Sequence, residues 1–535
     1  MSASLVGSEM CIRDSVYMTF EIVFVLLSLL GMVAALIADK MRPGMILFSV
    51  VVLFLCAGIL TPKEMLEGFS NKGMITVALL FLVSEGIRQS GTLGQVIKKL
   101  LPQGKTTVFK AQLRILPSVA FISAFLNNTP VVVIFAPIIK HWAKSVNLPA
   151  TKFLIPLSYV TILGGICTLI GTSTNLVVHG MILEAGFEGF SMFELGKVGI
   201  FIAIAGIIYI FLFSKRLLPD ARPDTAVPDE EVEEGEKLHR VEAVLGARFP
   251  GINKKLKDFN FQRHYGAEVK EIKTRNGQRF VSNLEEVVLH EGDTLVVMAD
   301  DTFIPTWGES SVFVLLTNGN EPDTTGKKKK RWFALLLLVL MIVGATVGEL
   351  PITKEMFPDI KLDMFFFVSI TTIIMAWTNL FPARKYTKYI SWDILITIAC
   401  AFAISKAMVN SGVADSVAKF IIGLSDDYGP HVLLAMVFII TNLFTELITN
   451  NAAAALAFPL ALSISAQLGV SPTPFFVVIC MAASASFSTP IGYQTNLIVQ
   501  GIGNYKFTDF VRIGLPLNII TFLISIILIP LIWNF

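Results

Sequence analysis

The feature that most constrains this chain is a polar cluster in the middle of an apolar run. Asn127, Asn128 and Thr129 lie within residues 115–139, a stretch that contains no charged side chain. In a membrane an unsatisfied polar group costs several kcal/mol, so such a cluster is tolerated only where protein buries it or where it lines a cavity. Pro130 removes a helix hydrogen-bond donor and disfavours helix at Thr129. We therefore predict that a membrane helix is interrupted here.

A second cluster of the same kind, Thr449-Asn450-Asn451, lies in the other half of the chain. In both clusters a proline follows nine residues after an asparagine, Pro137 after Asn128 and Pro459 after Asn450. The matched spacing predicts that the chain consists of two related halves.

Each cluster is followed by another polar interruption that ends in Thr-Asn-Leu. The first spans residues 171–176 and contains Thr174 and Asn175, and the second spans residues 489–497 and contains Thr495 and Asn496. Interrupted helices at corresponding positions of a repeat are typical of the binding site of a transporter.

The composition supports a membrane setting. Hydrophobic residues make up 54% of the 535 residues and charged residues 16%, and the mean hydropathy is +0.68, which argues against a soluble protein. Six apolar segments lie in residues 18–216 and six in residues 332–535, so we predict an N-terminal and a C-terminal membrane repeat. A net charge of +2 gives no reason to expect nucleic acid as a partner. Residues 1–17 do not fit this pattern, and we interpret them as a non-native leader.

The loop charges indicate how the segments cross the bilayer, because Lys and Arg are concentrated in cytoplasmic loops. If the fourth segment of each half is a re-entrant hairpin, each half crosses an odd number of times and the basic loops fall on one side. The halves are then inverted relative to each other. We predict an all-α polytopic protein of the cell (inner) membrane, an inverted-repeat transporter with two re-entrant hairpins and two broken helices.

A hydrophilic insert separates the halves. Residues 217–235 are rich in acids and predict a linker, and residues 306–331 predict a basic linker. Between them, residues 236–305 have strand-like runs around Asn276-Gly277, a hairpin signal, and predict a small α+β domain on the cytoplasmic side. So small a domain is marginal alone, so we expect a homodimer. A Gly-x-Gly-x-x-Gly sequence does not precede the insert, so we expect no organic cofactor.

The residue types in the four interruptions limit what they can bind. None of the interruptions contains Lys or Arg, so an anion there must be held by amides, hydroxyls, helix N-termini and bound cations. Sodium would neutralise the charge of the anion and couple its transport to the ion gradient. Glu446 is the one acid in these segments, and it either takes part in function or braces the hairpin. The segments contain no paired acids and no Ser-His pair, so we do not expect an enzyme.

The two clusters resemble the paired Ser-Asn-Thr signatures of the divalent anion sodium symporter family, whose members carry sulfate and di- or tricarboxylates. The resemblance implies two sodium sites and one substrate site. The implied sodium ligands are Ser123, Asn127, Asn128 and Gly171 for the first ion, and Thr445, Thr449, Asn450 and Thr489 for the second. The implied substrate contacts are Asn128, Thr129, Asn450 and Asn451, with Thr174, Asn175, Thr495 and Asn496 nearby. The chain departs from the signatures at Asn127, Thr449 and Asn451.

The insert is similar to the C-terminal subdomain of TrkA-type regulators (RCK C-terminal domain). The resemblance rests on Gly251-Ile252, residues 263–266 and residues 291–294. It implies a regulatory domain that binds a small-molecule effector and biases the transport cycle.

Three functions remain open. The first is sodium-coupled symport of a divalent anion, with sulfate favoured over a C4-dicarboxylate because the extra amides of Asn127 and Asn451 suit a small tetrahedral anion. The second is a proton-coupled exchanger of the sodium/proton or arsenite type, for which only Glu446 could carry the proton. A potassium channel is a weaker alternative, because Gly492-Tyr493 lacks the rest of a filter sequence.

Overall fold

The computed structural model describes residues 3–38, 41–220, 238–246, 249–274, 278–300, 303–307, 312–317, 328–356, 360–423 and 429–535. Several predicted features lie at least partly outside these residues: the beginning of the leader, the Asn276-Gly277 turn and other parts of the small domain, the acidic linker beyond residue 220 and parts of the basic linker.

The described part of the first half contains ten α-helices, and the chain leaves helical conformation at both polar interruptions. The helices are α1 Ala3–Ala38, α2 Pro43–Cys56, α3 Pro62–Glu67, α4 Lys72–Gln89, α5 Thr92–Leu100, α6 Val108–Ser123, α7 Asn128–Ser145, α8 Leu154–Gly165, α9 Ser173–Glu184 and α10 Gly196–Leu217. The first interruption therefore separates α6 from α7, and the second separates α8 from α9.

The insert is built around one antiparallel sheet. Its elements are β1 His239–Leu245, α11 Phe261–Tyr265, β2 Glu268–Lys273, β3 Arg279–Phe280, β4 Thr294–Ala299, α12 Phe303–Trp307 and β5 Phe313–Thr317. The strand order is β3-β2-β4-β1-β5. The edge strand β5 pairs with β1 and lies beyond residue 305, the predicted end of the domain. Aromatic side chains, among them Phe249, Tyr265 and Phe313, fill the core under the sheet.

The second half is also mostly helical and leaves helical conformation at both of its polar interruptions. Its helices are α13 Lys328–Gly348, α14 Pro351–Met356, α15 Met364–Trp377, α16 Tyr386–Tyr389, α17 Trp392–Asn410, α18 Val413–Gly423, α19 Gly429–Leu447, α20 Asn450–Leu468, α21 Thr473–Ser484, α22 Gln494–Gly503 and α23 Phe507–Ile532. The interruptions again fall between α19 and α20 and between α21 and α22.

Eight helices in the described part of the chain are long and apolar enough to cross a membrane, and further apolar helices are shorter. The prediction of a mostly helical, multi-pass membrane protein with a small α+β insert is confirmed. The inverted orientation of the halves and the re-entrant path of the hairpins stay predictions.

The packing brings the interruptions together. In α8 every residue is buried, and α21 is buried from Pro474 to its end, as expected for helices that are apolar on all sides. Helix α7 packs against α22, and α20 packs against α9. The second helix of each predicted hairpin thus lies on the broken helix of the other half.

Candidate functional site

Four helices begin at the polar interruptions. Asn128 and Asn450 are the first residues of α7 and α20, and α9 and α22 begin at Ser173 and Gln494. The residues before these helices, Asn127, Thr172, Thr449 and Tyr493, make no side-chain capping bond. The first N–H groups of a helix have no partner within the helix and carry its positive dipole end. Uncapped N-termini are suited to hold an anion.

Asn128 joins the first predicted hairpin to both broken helices. Its side chain is buried, and its amide oxygen accepts a hydrogen bond from the hydroxyl of Tyr493 at 2.5 Å. In this orientation the amide nitrogen donates to the carbonyls of Thr161 at 3.0 Å and Gly171 at 3.3 Å, and to Ser123 Oγ at 2.8 Å. Three residues of the predicted first sodium site, Ser123, Asn128 and Gly171, therefore lie in one neighbourhood.

The second predicted hairpin also forms hydrogen bonds with the first half. Asn450 Nδ2 donates to Thr174 Oγ1 at 2.8 Å. Asn451 Oδ1 accepts from Thr174 Oγ1 and Ser173 Oγ, both at 3.2 Å. Three of the predicted substrate contacts, Thr174, Asn450 and Asn451, are thus in direct contact across the two halves.

Tyr493 is a central residue that the sequence did not single out as a ligand. Besides the bond with Asn128, its hydroxyl lies 2.9 Å from Thr172 Oγ1, and Asn450 lies beside it. Thr172 and Tyr493 precede α9 and α22, so the corresponding residues of the two halves meet hydroxyl to hydroxyl. The sequence signal for this role of Tyr493 is its position directly before the first residue of α22.

Asn175 and Asn496 form hydrogen bonds with backbone carbonyls on the other side of their own interruptions. Asn175 Nδ2 donates to the carbonyls ten and seven residues before it, those of Gly165 at 3.4 Å and Thr168 at 2.9 Å. Asn496 Nδ2 makes the same two bonds in its own half, to Ser486 at 2.9 Å and Thr489 at 3.2 Å. The amide nitrogens of these two predicted substrate contacts are therefore used within the interruptions.

A second matching pair of bonds ties each interruption to the hairpin of its own half. Thr168 Oγ1 donates to the carbonyl of Ala124, and Thr489 Oγ1 donates to that of Glu446 at 3.1 Å. Gly171 passes close to this turn, because a Cβ atom on it would lie 2.5 Å from the carbonyl oxygen of Gly165. Only glycine fits there.

The remaining predicted residues are less closely grouped. Thr129 Oγ1 lies 3.2 Å from Gln494 Oε1 at an exposed edge of the site. Thr495 Oγ1 accepts from Ser158 Oγ at 2.8 Å. Thr445 Oγ1 donates to the carbonyl of Ala483 in α21 at 2.6 Å.

Two buried oxygen atoms in the described part of the site have no hydrogen-bond partner, Thr449 Oγ1 and Asn175 Oδ1. Burying such an oxygen without a partner costs free energy. Both atoms belong to residues predicted from the sequence, and both can serve as ligands for a hard cation. Asn127 lies near Ser173, and both residues line a small cavity.

Apolar helices interrupted at mutually bonded polar clusters define a polytopic membrane transporter. A family model described as a citrate transporter matches residues 33–463 and 360–534, so the chain belongs to the CitMHS citrate transporter family. The prediction of a divalent-anion transporter family is confirmed at this level.

Individual relatives agree with the family. The chain is 30% identical to an uncharacterized transporter of Synechocystis, over 91% of this chain and 93% of the relative. It is 33% identical to sodium/sulfate cotransporter 1 of Chlamydomonas reinhardtii, over 53% of this chain and 32% of that protein. Its fold is similar to the crystal structure of the Alcanivorax borkumensis YdaH transporter, with a TM-score of 0.50 at 12% identity, covering 96% of this chain and 98% of that one.

Proposed function

We propose that this transporter is a sodium-coupled symporter of a divalent anion, with sulfate preferred over a C4-dicarboxylate. The observation that carries the proposal is the meeting of uncapped helix N-termini and the amides of Asn128 and Asn450 around Tyr493. The interruptions that bring these groups together contain no Lys or Arg. Dipoles and amides alone would hold a doubly charged anion at a large desolvation cost, so bound cations are needed.

Sodium would fill that need at the predicted ligands. Ser123 and the Gly171 carbonyl supply oxygens near the first hairpin, beside the amide of Asn128, and the unpartnered hydroxyl of Thr449 supplies one near the second. Unwound carbonyls and hydroxyls of broken helices are the usual ligands of coupling sodium ions. The name of the Chlamydomonas relative supports both sodium and sulfate, although that likeness covers about half of this chain.

The test is uptake of labelled sulfate and labelled succinate by the purified protein in liposomes, with an inward sodium gradient or with choline in its place. Sodium-dependent uptake of sulfate above succinate supports the proposal. Preferential succinate uptake would refute the choice of sulfate, and uptake that ignores sodium would refute the coupling.

Asn450→Ala is the decisive variant. Asn128→Ala would leave several buried partners unsatisfied, at about 1–3 kcal/mol for each buried group, so its loss of uptake could reflect instability. Asn450 is only half-buried and donates to Thr174, so Asn450→Ala should lose uptake while keeping its thermal stability. Asn410→Ala, which removes an amide bonded to the Ile59 carbonyl, is the matched control. Normal uptake by Asn450→Ala would remove this residue from the site.

The proton-coupled alternative depends on Glu446. Its Oε1 accepts from the backbone N–H of Ser488 at 2.9 Å and from Asn518 Nδ2 at 2.7 Å, which favours a bracing role. We therefore expect Glu446→Gln to retain sodium-driven uptake. Uptake driven by a pH gradient and abolished by this variant would favour the exchanger instead.

We further propose that the insert is a cytoplasmic, TrkA-C-like regulatory domain that binds a small-molecule effector and pairs with a second copy. What supports regulation is its contact with two helices of the site. Lys140 of α7 forms an ion pair with Glu242 of β1, and Gly501 of α22 approaches Thr294 of β4. Deletion of residues 236–317 that leaves transport and every effector response unchanged would refute this role.

A further inference from the structure

A polar cavity lies outside the candidate functional site, between α5 and the first half of α6. Its volume is about 780 Å³, within the range of small-molecule sites. The residues that line it are Gln95, Lys98, Lys99, Leu101, Gln103 and Arg114. None of them belongs to the proposed sodium or substrate site.

The cavity is basic. Residues 92–116 contain five basic residues and no acid. Arg114 is fixed at the end of α5, because its Nη2 donates to the carbonyl of Lys99 at 3.0 Å. The guanidinium of Arg114 and the ammonium groups of Lys98 and Lys99 therefore surround the same space, which favours an anionic ligand.

The cavity also lies next to an apolar surface. Phe109, Leu113 and Phe121 are 53%, 53% and 69% exposed and share one face of α6, the helix that carries Arg114. In a membrane protein such a face contacts acyl chains. Helix α5 is amphipathic as well, since Leu93 and Ile97 are buried while Lys99 is exposed, as in helices that lie at a membrane interface.

We propose that this cavity binds the headgroup of an anionic phospholipid such as phosphatidylglycerol. The phosphate lies among Lys98, Lys99 and Arg114, and the acyl chains follow Phe109 and Leu113. The loop charges predict that this basic region, like that of residues 384–388, faces the cytoplasm, where basic cavities between helices are suited to anionic headgroups. A free phosphate would use the charges but not the apolar face of α6, so the lipid is the better match to both features.

The test measures lipids that remain bound to the purified full chain. The protein is reconstituted in nanodiscs of equal phosphatidylglycerol and phosphatidylcholine, and bound lipids are counted by native mass spectrometry after extraction into detergent. The test variant replaces Lys98, Lys99 and Arg114 with Gln. We expect the unmodified chain to retain phosphatidylglycerol and the variant to lose roughly tenfold or more of that preference.

The matched control carries the same change of charge elsewhere. Arg384, Lys385 and Lys388 form an exposed basic group predicted to face the same side of the membrane, and none of them lines this cavity. Replacing these three with Gln should leave the preference unchanged. Equal losses in the two triple variants would overturn the proposal, since a general surface charge would then be responsible.

Two further arms keep the result unambiguous. The double variant Lys98→Gln with Lys99→Gln preserves the bond of Arg114 to the Lys99 carbonyl and should still lose most of the preference. Thermal stability of the unmodified chain is also compared with inorganic phosphate and with phosphatidylglycerol added. Stabilisation by phosphate as large as that by the lipid would overturn the choice of a lipid.

Discussion

The ion pair between Glu242 and Lys140 gives the sharpest prediction about how the insert is attached to the membrane helices. Glu242 Oε2 lies 2.8 Å from Lys140 Nζ of α7, and Oε1 lies 3.4 Å from Lys273 Nζ of the insert. Burial alone would raise the pKa of Glu242, but Lys140 and Lys273 outweigh it and lower the pKa from 4.5 to about 2. Glu242 is therefore ionised throughout the neutral range.

The lowered pKa of Glu242 gives the amount by which its ion pairs stabilise the folded state. One pKa unit corresponds to about 1.4 kcal/mol, so a pKa lowered from 4.5 to about 2 corresponds to roughly 3 kcal/mol of stabilisation. Because the pKa is lowered in the folded state, the stabilisation is fully present above pH 4.5 and is lost as the pH falls toward 2. Glu242→Gln should therefore cost roughly 2–3 kcal/mol at pH 7.

The assay is a double-mutant cycle of thermal unfolding in detergent at pH 7, with Glu242→Gln, Lys140→Gln and both together. We expect a coupling of about 1–2 kcal/mol between these residues. Glu286→Gln is the matched control, because Glu286 pairs with Lys255 and Lys257 on the exposed surface of the insert, where ion pairs contribute little. Additive effects of Glu242→Gln and Lys140→Gln would refute the attachment of the insert through this pair.

Three predictions concern the site itself. Tyr493→Phe removes two hydrogen bonds of the buried hydroxyl, so it should cost about 2 kcal/mol in thermal unfolding and reduce uptake; unchanged values would exclude a central role. Gly165→Ala should reduce uptake, because its Cβ would lie 2.6 Å from the side-chain amide of Asn128, whereas Gly423→Ala meets no atom within 4 Å and should be silent. Thr449→Val removes a buried hydroxyl without a partner, so the melting temperature in sodium-free buffer should not fall, whereas the stabilisation by added sodium should be lost. Full stabilisation of this variant by sodium would contradict the role of Thr449 as a ligand.

Local physical rules explain what the sequence could predict. A polar cluster in an apolar run must be buried by protein or line a cavity, and it is expected to interrupt the helix; the chain indeed leaves helical conformation between Ser123 and Asn128 and between Leu447 and Asn450. The small α+β insert followed from a change in composition together with strand-like runs around the Asn276-Gly277 hairpin signal. These features depend on residues that are close together in the sequence, so they could be predicted from the sequence alone.

Features that depend on distant partners could not be predicted. The bond between Asn450 and Thr174 joins residues from opposite halves, and no local pattern encodes that pairing. Tyr493 looked like part of a weak filter motif, and its role became visible only when Asn128 and Thr172 were found against its hydroxyl. Strand β5 was interpreted as linker because its partner β1 lies far away in the sequence.

The hydrogen bonds of the site are of two kinds with different mechanical consequences. The amide nitrogens of Asn175 and Asn496 bond carbonyls of their own interruptions, so these bonds survive any relative motion of the halves. The Oδ1 atom of Asn496 also accepts from Ser158 Oγ of the first half at 2.6 Å, so this residue joins the halves as well.

Asn128 and Asn450 likewise bond across the halves, to Tyr493 and Thr174. Sliding one half against the other at these helices would break both bonds, and at the buried Asn128 an unsatisfied group costs about 1–3 kcal/mol. We therefore infer that α7, α9, α20 and α22 move as one body during transport, and that the change of access occurs where this body meets the surrounding helices rather than within the site.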